Sequence, residues 1–344
     1  MPTKKKNKTA QHPAPFPSQP ERRVVVIGGG TGTYAVLSAL KPYSLALSAI
    51  VTMADDGGST GVLRDEFGVL PPGDLRQCLV ALSEAPQVMR RLFMHRFDRG
   101  TLKGHSFGNL FLSTLEQVTG NLDEAIRLAG EVLKIRGTVI PVTLQSVNLV
   151  AKLQNGKVLH GEKALTEYQL LSRFGIEEIY LTPKPKANPK AIRAILEADV
   201  IIVGPGSMYS SLIPNFLVPG IGEALRKSKA QKIFVVNLMN KHGHTDRFHV
   251  ADHVSALEEK VGGVVFDTVL YNTKVPPKGL LRMYADEGDP VPFMKDKRLK
   301  GRTVFGRDII APQARRAKKG DMLYRTLIRH DQKKLGKTIM EILQ

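Results

Sequence analysis

Residues 24–40, VVVIGGGTGTYAVLSAL, constrain this chain more than any other stretch. A short β-branched run ends in Gly28, Gly29, Gly30, Thr31 and Gly32 and passes directly into an apolar pattern of helical period. Glycines let backbone approach a ligand closely, and a helix start offers unpaired N–H groups and the positive end of a dipole to an anion. Gly30-x-Gly32-x-x-Ala35 also satisfies the dinucleotide-binding string, which is weak alone but has the strand–turn–helix setting it requires. The competing reading is a tight turn that serves no ligand. No GK[ST] follows, so a Walker-type loop is excluded.

The same form recurs. SLALSAIVTM (44–53), ADVIIVGPG (198–206), QKIFVVNLM (231–239) and VVFDTVLYN (264–272) are β-branched runs bounded by Gly, Asn or Asp, as in strands buried on both faces of a parallel sheet. Between them stand helical patterns such as GDLRQCLVALSE, GNLFLSTLEQV, PKAIRAILEA and DHVSALEEKVG. This alternation predicts an α/β fold with a doubly wound, mainly parallel sheet. VTLQSVNLVAKLQNGKVLHGE differs, with period-2 alternation around Asn155-Gly156, and predicts a β-hairpin insertion or edge over about 143–162. The last segment, DMLYRTLIRHDQKKLGKTIMEIL, reads as one terminal amphipathic helix or two short ones.

Composition matters for where the charge sits. The formal charge is +18, yet residues 1–23 carry six Lys/Arg and one Glu, and residues 294–344 carry fifteen basic and five acidic residues. The remainder is nearly balanced, so the basic excess belongs to the ends. Residues 1–22 read as a disordered basic tail, rich in Lys, Pro and Gln, and residues 23–344 as a single domain. The one cysteine, Cys78, cannot form an intramolecular disulfide, and it sits in an apolar helical pattern as a buried hydrophobe. No apolar run is long enough to span a membrane, and the start of the chain lacks a signal-peptide pattern. The expected location is cytoplasmic.

Several loops carry candidate chemistry. IIVGPGSMYSSLIPN repeats the strand-to-glycine form, with Gly206 and Ser207 as a second phosphate-type loop, against the plainer reading of a Pro-Gly turn with solvated serines. TMADDGGSTGVLRDEFGVLPPGDLRQCL places Asp55 23 residues past Gly32, where a dinucleotide protein keeps its ribose acid. The adjacent Asp56 is more than ribose recognition needs. Asp56 and Asp74 are candidate Mg²⁺ ligands, since that ion takes one or two carboxylates plus phosphate oxygens. The plainer reading makes Asp74 the N-cap of DLRQCLVAL.

GHSFGN (104–109) matches G-x-S-x-G but lacks the preceding buried strand, so Ser106 is not expected as a nucleophile. His105, Ser106 and Asn109 are expected instead in a polar loop facing ligand or solvent. NKHGHTDRFHVADHV offers His242, His244, His249 and His253 at ligand-like spacing, but nothing in the chain gathers them into a zinc site.

Together these residues give the chain a resemblance to the YvcK–CofD family, which includes bacterial gluconeogenesis factors and 2-phospho-L-lactate transferases. The match is carried by VVVIGGGTGTYAVLSALK, AIVTMADDGGSTGVLRDEFGVLPPGDLRQCLVALSE, GHSFGNLFLSTLEQ, VGPGSMYSSLIPNFLVPGIGEAL, VNLM, TDRFHVADHV and IRHD, in family order from about residue 24 to 331. The resemblance implies a Rossmann-like fold that binds a nucleotide-linked ligand at the strand ends. DDGGSTG with RDEFGVLPPGD follows the gluconeogenesis-factor branch, for which it implies a UDP-sugar such as UDP-N-acetylglucosamine and a regulatory role in carbon metabolism, cell shape or wall synthesis.

The transferase branch implies Mg²⁺-dependent transfer of a nucleotide-activated phosphoester, with Asp55 and Asp56 catalytic only in that case. By resemblance, Gly29, Gly30, Thr31 and Gly32 form the phosphate loop, Asp55 and Asp56 the acidic pair, and Gly206 and Ser207 the second loop. Tyr284 and Arg329 match positions that hold the nucleotide sugar, one as a stacking face and one as a forked donor. After VNLM the family reads close to TQPGET, whereas this chain has NKHGHT, which bears on ligand identity if that loop meets the base or sugar. An NAD-linked oxidoreductase remains a third reading, resting on Gly30, Gly32, Ala35 and Asp55. No sequence-specific nucleic-acid motif accompanies the basic ends, and the resemblance leaves room for a homodimer.

Overall fold

The computed structural model describes residues 21–312 and 328–344, so nearly all of the predicted tail and the first part of the C-terminal helical segment lie outside the described residues. The strands are β1 (Arg22–Gly28), β2 (Leu45–Val51), β3 (Thr138–Pro141), β4 (Asn148–Leu153), β5 (Val158–His160), β6 (Ile176–Thr182), β7 (Val200–Val203), β8 (Gln231–Val235), β9 (Thr268–Asn272) and β10 (Thr303–Arg307). Seven form one sheet in the order β10-β9-β8-β7-β1-β2-β3. Every neighbouring pair is parallel.

The chain walks outward from β1 to β3, returns to the other side of β1, and walks outward again from β7. The strand order reverses between β1 and β7, and open α/β sheets take their ligands beyond the carboxyl ends of the strands at such a reversal. β1 lies inside the sheet, between β7 and β2, because its side chains leave it no alternative: Val24, Val25, Val26 and Ile27 are all at most 2% exposed. Burial of each contributes about 1.5–3 kcal/mol.

Helices flank the sheet. The first seven are α1 (Gly30–Leu40), α2 (Gly58–Phe67), α3 (Gly73–Leu82), α4 (Gln87–Met94), α5 (Phe107–Thr119), α6 (Leu122–Val132) and α7 (Glu162–Glu167). The C-terminal helix Gln332–Ile342 forms as expected and lies against α1, with Gly336 so close that a Cβ there would sit 2.5 Å from the Ala39 carbonyl oxygen.

Three features differ from the expectations above. β3 and β10 complete the parallel sheet, and neither was expected, because TVIP ends in proline and TVFGR, an edge strand only partly buried, breaks its apolar run with Gly306 and Arg307. The hairpin at Asn155-Gly156 forms between β4 and β5, but β6 pairs with the other side of β4, making a three-stranded antiparallel sheet. The DDGGSTG segment is an acidic loop only as far as Gly57, its remainder being the first turn of α2.

Candidate functional site

The two glycine loops meet. Gly29 caps α1 with extended backbone, Gly30 takes φ +62°, and Thr31 and Gly32 follow in the first helical turn. A Cβ on Gly32 would lie 1.9 Å from the Pro205 carbonyl oxygen and 3.2 Å from the Gly206 nitrogen, so the backbones touch there. Ser207 then caps a π-helical turn, Met208–Leu212. Its carbonyl accepts from the N–H groups of Ser211 and Leu212 at 2.9 and 3.1 Å.

Asn237, in VNLM, clamps the second loop: Gly206 N–H donates to Asn237 Oδ1 at 2.9 Å, and Asn237 Nδ2 donates to the Gly206 carbonyl at 2.8 Å. VNLM carries family likeness, but its sequence alone assigns this asparagine no role. Replacing Asn237 with Ala strips both partners from Gly206, and we expect a loss of about 1–3 kcal/mol in urea unfolding at unchanged m. An unchanged midpoint would show that the clamp carries no weight.

The acidic residues sort differently from expectation. Asp74 is not the N-cap of α3. Pro72 occupies that position, and the Asp74 carboxylate accepts from the Gly30 N–H instead. A Cβ on Gly29 would sit 2.4 Å from Asp74 Oδ2, so the carboxylate lies against the first glycine loop. It thus takes the place an outside anion was expected to hold at that donor.

Asp55 accepts from the Gly57 N–H at 2.9 Å and from the Thr60 hydroxyl. Glu162, at the start of α7, accepts from the hydroxyls of Thr166 (2.9 Å) and Ser210. Burial first, then the charges of Asp55 and Glu162, push the Asp74 carboxyl up to about 8. Burial likewise raises Asp55, and burial first, then the Asp55 charge, raises Glu162. Glu162 went unnoticed because it lies in the insertion, distant in sequence from the acidic loop.

Asp56 is turned away. Its Oδ1 accepts from the Lys163 N–H at 2.7 Å at the head of α7, and Gly161, with φ +94°, gives it room. The structure therefore brings Asp55, rather than Asp56, to Asp74. Among the described residues no three His, Cys, Asp or Glu side chains converge to hold a metal ion.

The GHSFGN residues converge on α2. Ser106 is the N-cap of α5, accepting from the Asn109 N–H at 3.2 Å, so its oxygen is occupied by a helix end. No strand precedes it, only the isolated bridge with Arg96. His105 Nδ1 lies 3.2 Å from Ser59 Oγ, and Asn109 Nδ2 lies 3.3 Å from the same oxygen. Asn109 Oδ1 accepts from Nε of Arg76 at 2.8 Å. Burial lowers the Arg76 guanidinium to about 10. Ser59 and Arg76 do not stand out in the sequence.

Tyr284 and Arg329 are neighbours. Burial and then the charge of Glu287, to which the phenol donates, push Tyr284 up to about 12, while the Arg329 charge pulls it back. His330, next in the chain, is hydrogen-bonded to the Val236 backbone just past β8. The loop after β8 connects this pair to the rest: Asn240 and His242 donate their N–H groups to the carbonyls of Asp289 and Glu287 at 2.7 and 2.9 Å.

The histidines of NKHGHT face protein. His242 lies between Asp246 Oδ1 and the Ala285 carbonyl, 3.0 Å from each. His244 is buried against the backbone of Thr166 and Tyr168, and burial lowers it to about 4. His253 Nε2 meets Asn240 Oδ1 at 2.8 Å, and the His249 N–H donates to Asp252 Oδ2 at 2.7 Å. The zinc reading fails because, among the described residues, these side chains do not converge on one point that could hold a metal ion.

Residues 24–310 match the family described as 2-phospho-L-lactate transferase CofD. A relative in Aquifex aeolicus is 44% identical over 328 residues, spanning 93% of this chain and 96% of its own. A gluconeogenesis factor of Bacillus subtilis is 39% identical over 326 residues, spanning 94% of this chain and 98% of its own. Among solved structures, a UPF0052 family member from Bacillus halodurans matches with a TM-score of 0.84 at 35% identity, covering 94% of this chain and 100% of that one. No helix among the described residues is long and apolar enough to cross a membrane. With the family pattern matched across the sheet and both glycine loops, the chain belongs to the CofD family, and its relatives include proteins named gluconeogenesis factor.

Proposed function

We propose that this protein binds a nucleotide sugar of the UDP-N-acetylglucosamine kind beyond the carboxyl ends of β1 and β7, and acts in the cytoplasm as a regulator of carbon metabolism and of cell shape or wall synthesis. The observation that carries the reading is the contact of the two glycine loops at the sheet's reversal, Gly32 against Pro205. The Gly30 and Gly206 N–H groups are taken by Asp74 and Asn237, so on this reading a diphosphate is held by the remaining N–H groups of the first turn of α1 beside the second loop. Arg329, whose charge reaches Tyr284, would supply a cation for the remainder of the ligand, while Tyr284 itself is 7% exposed and packed in the core. The name of the relatives, gluconeogenesis factor, supports the carbon-metabolism part. Calorimetry against UDP-N-acetylglucosamine, UDP-glucose, GDP and NAD tests the proposal: micromolar binding of a UDP-sugar is expected, and no heat with any UDP-sugar sinks it.

A second reading, an Mg²⁺-dependent transferase of a nucleotide-activated phosphoester, is favoured by the acidic wall. Asp55 and Asp74 have the hard-oxygen chemistry Mg²⁺ prefers, and their mutual repulsion is what a cation relieves. They fit an ion completed by ligand phosphate rather than by a third protein side chain. Bound there, Mg²⁺ would neutralise charge on phosphoryl oxygens. On this reading millimolar Mg²⁺ raises the thermal midpoint at pH 8, and Asp74→Asn removes the effect. A midpoint indifferent to Mg²⁺, with no turnover of any activated donor, leaves the regulatory reading alone.

A further inference from the structure

The two ring nitrogens of His242 face acceptors only. Nδ1 lies 3.0 Å from Asp246 Oδ1, while Nε2 lies 3.0 Å from the Ala285 carbonyl oxygen and 3.8 Å from Asp289 Oδ2. Burial raises the Asp246 carboxyl, but bonds from the Ser172 hydroxyl, the His242 ring and the Gly243 N–H outweigh it and hold the group below the ordinary carboxylate range. Asp246 is therefore ionised near neutral pH and cannot donate to the ring. A neutral imidazole has one N–H and one bare nitrogen, whichever tautomer it adopts. Either tautomer sets a lone pair against an acceptor. Only the imidazolium satisfies both contacts.

The ring stands where three distant segments meet. In the loop after β8, the N–H groups of Asn240 and His242 donate to the Asp289 and Glu287 carbonyls, and a Cβ on Gly288 would sit 1.8 Å from the Asn240 carbonyl oxygen. These contacts join the loop to the turn that follows the helix Lys278–Tyr284. On the other side, the Ser172 N–H donates to the Gly243 carbonyl at 2.7 Å, its hydroxyl bonds Asp246, and Lys241 Nζ donates to the Thr166 carbonyl at 2.6 Å. These join the loop to the insertion that brings Glu162. The His242 side chain is 37% exposed, so a proton can enter and leave without unfolding. Asp246 from its own loop and Asp289 from the turn are the charges acting on it, and the insertion reaches it through Ser172 on Asp246. The neighbouring His244, lowered by burial to about 4, stays neutral over the same range.

We propose that His242 is a proton-operated staple: when protonated it ties the turn 285–289 to the loop after β8 and, through Asp246, to the insertion, and when neutral it loses one of its two bonds and the turn loosens. Tyr284 starts this turn, its carbonyl accepting from the N–H groups of Glu287 and Gly288, and the Arg329 charge acts on Tyr284. The staple thus makes the Arg329 end of the candidate site responsive to pH, whatever ligand binds there. The bond to Asp246 lifts the ring above its ordinary value near 6.5, against a smaller opposing effect of burial. The stability this adds is fully present below that ordinary value and is lost as pH rises through the raised one.

Nitrogen NMR of the full chain reads the ring, and amide hydrogen exchange reads the junction. At pH 6 both ring nitrogens of His242 are expected to carry protons, with the titration lying above 6.5. Protection of the Asn240 and His242 amides, corrected for intrinsic exchange, is expected to fall about fivefold between pH 6 and pH 9, the size of one hydrogen bond partly open to water. His242→Gln has no charge to lose, and the amides at 240 and 242 are expected to show no such fall. Asp246→Asn leaves the ring in place and is expected to bring its titration down.

A His242 ring that titrates at or below 6.5 overturns the proposal. So does wild-type protection that stays flat between pH 6 and pH 9, or an equal fall in His242→Gln. No ligand enters these measurements, so their outcome is independent of the nucleotide-sugar reading.

Discussion

Gly32→Ala is expected to lower stability by about 1–3 kcal/mol and to abolish nucleotide binding. Two effects oppose each other at this position. Gly32 lies inside α1 with ordinary helical φ, so alanine gains about 1 kcal/mol of helix propensity. Against that, the new methyl would sit 1.9 Å from the Pro205 carbonyl oxygen and 2.6 Å from its carbon. Backbone cannot rotate aside as a side chain can, so one loop must move and the clash prevails.

That movement separates the first turn of α1 from the second loop, which is why binding suffers beyond the stability cost. Gly30→Ala is the control. There the nearest atom to a new Cβ is 3.8 Å away, and the cost is only that of φ +62°, about 1–2 kcal/mol. Calorimetry and thermal melts of the two variants separate the effects. If Gly32→Ala retains wild-type affinity, the junction of loops is not the ligand site.

Asp74→Asn is expected to make the protein more stable at pH 8 and to flatten its pH dependence. The folded carboxyl titrates near 8, far above the unfolded value near 3.9. Between those pH values the native state holds a proton that the unfolded state has lost. Wild-type stability therefore falls as pH rises from about 4 to about 8, a loss on the order of a few kcal/mol. Asparagine keeps an oxygen for the Gly30 N–H but carries no charge to repel Asp55 and Glu162. Urea unfolding at pH 5 and pH 8 reads the slope. A slope equal in wild type and variant would show that Asp74 is not the group responsible. The same substitution is expected to weaken any Mg²⁺-assisted binding, a gain in stability at the expense of function.

Much of this was legible in the chain. The β1 run, the glycines behind it and the runs of β2, β7, β8 and β9 define a parallel sheet because buried strands must be apolar along their whole length. The glycine loops announced themselves, since close backbone approach and positive φ exclude other residues at Gly30 and Gly32. The family blocks singled out the glycine loops and the acidic loop, which the fold brings together.

Only the tertiary structure decided the partners. That Gly32 is reserved for the Pro205 carbonyl could not be read from either loop, because the contact joins segments brought together by strands β1 and β7. Asp74 looked like a helix cap, as an aspartate near a helix start does, until Gly30 proved to be its partner. Asp56 looked like a ligand until it was found capping α7, and Glu162 entered the acidic wall from an insertion whose own pattern speaks only of a hairpin. Local patterns reflect local constraints, namely period, turn conformation and burial, and these the sequence determined by itself. Side-chain direction and the shifting of carboxyl pKa values depend on neighbours distant in the chain. Those were settled only when the sheet placed β1 beside β7 and folded the insertion against the acidic loop.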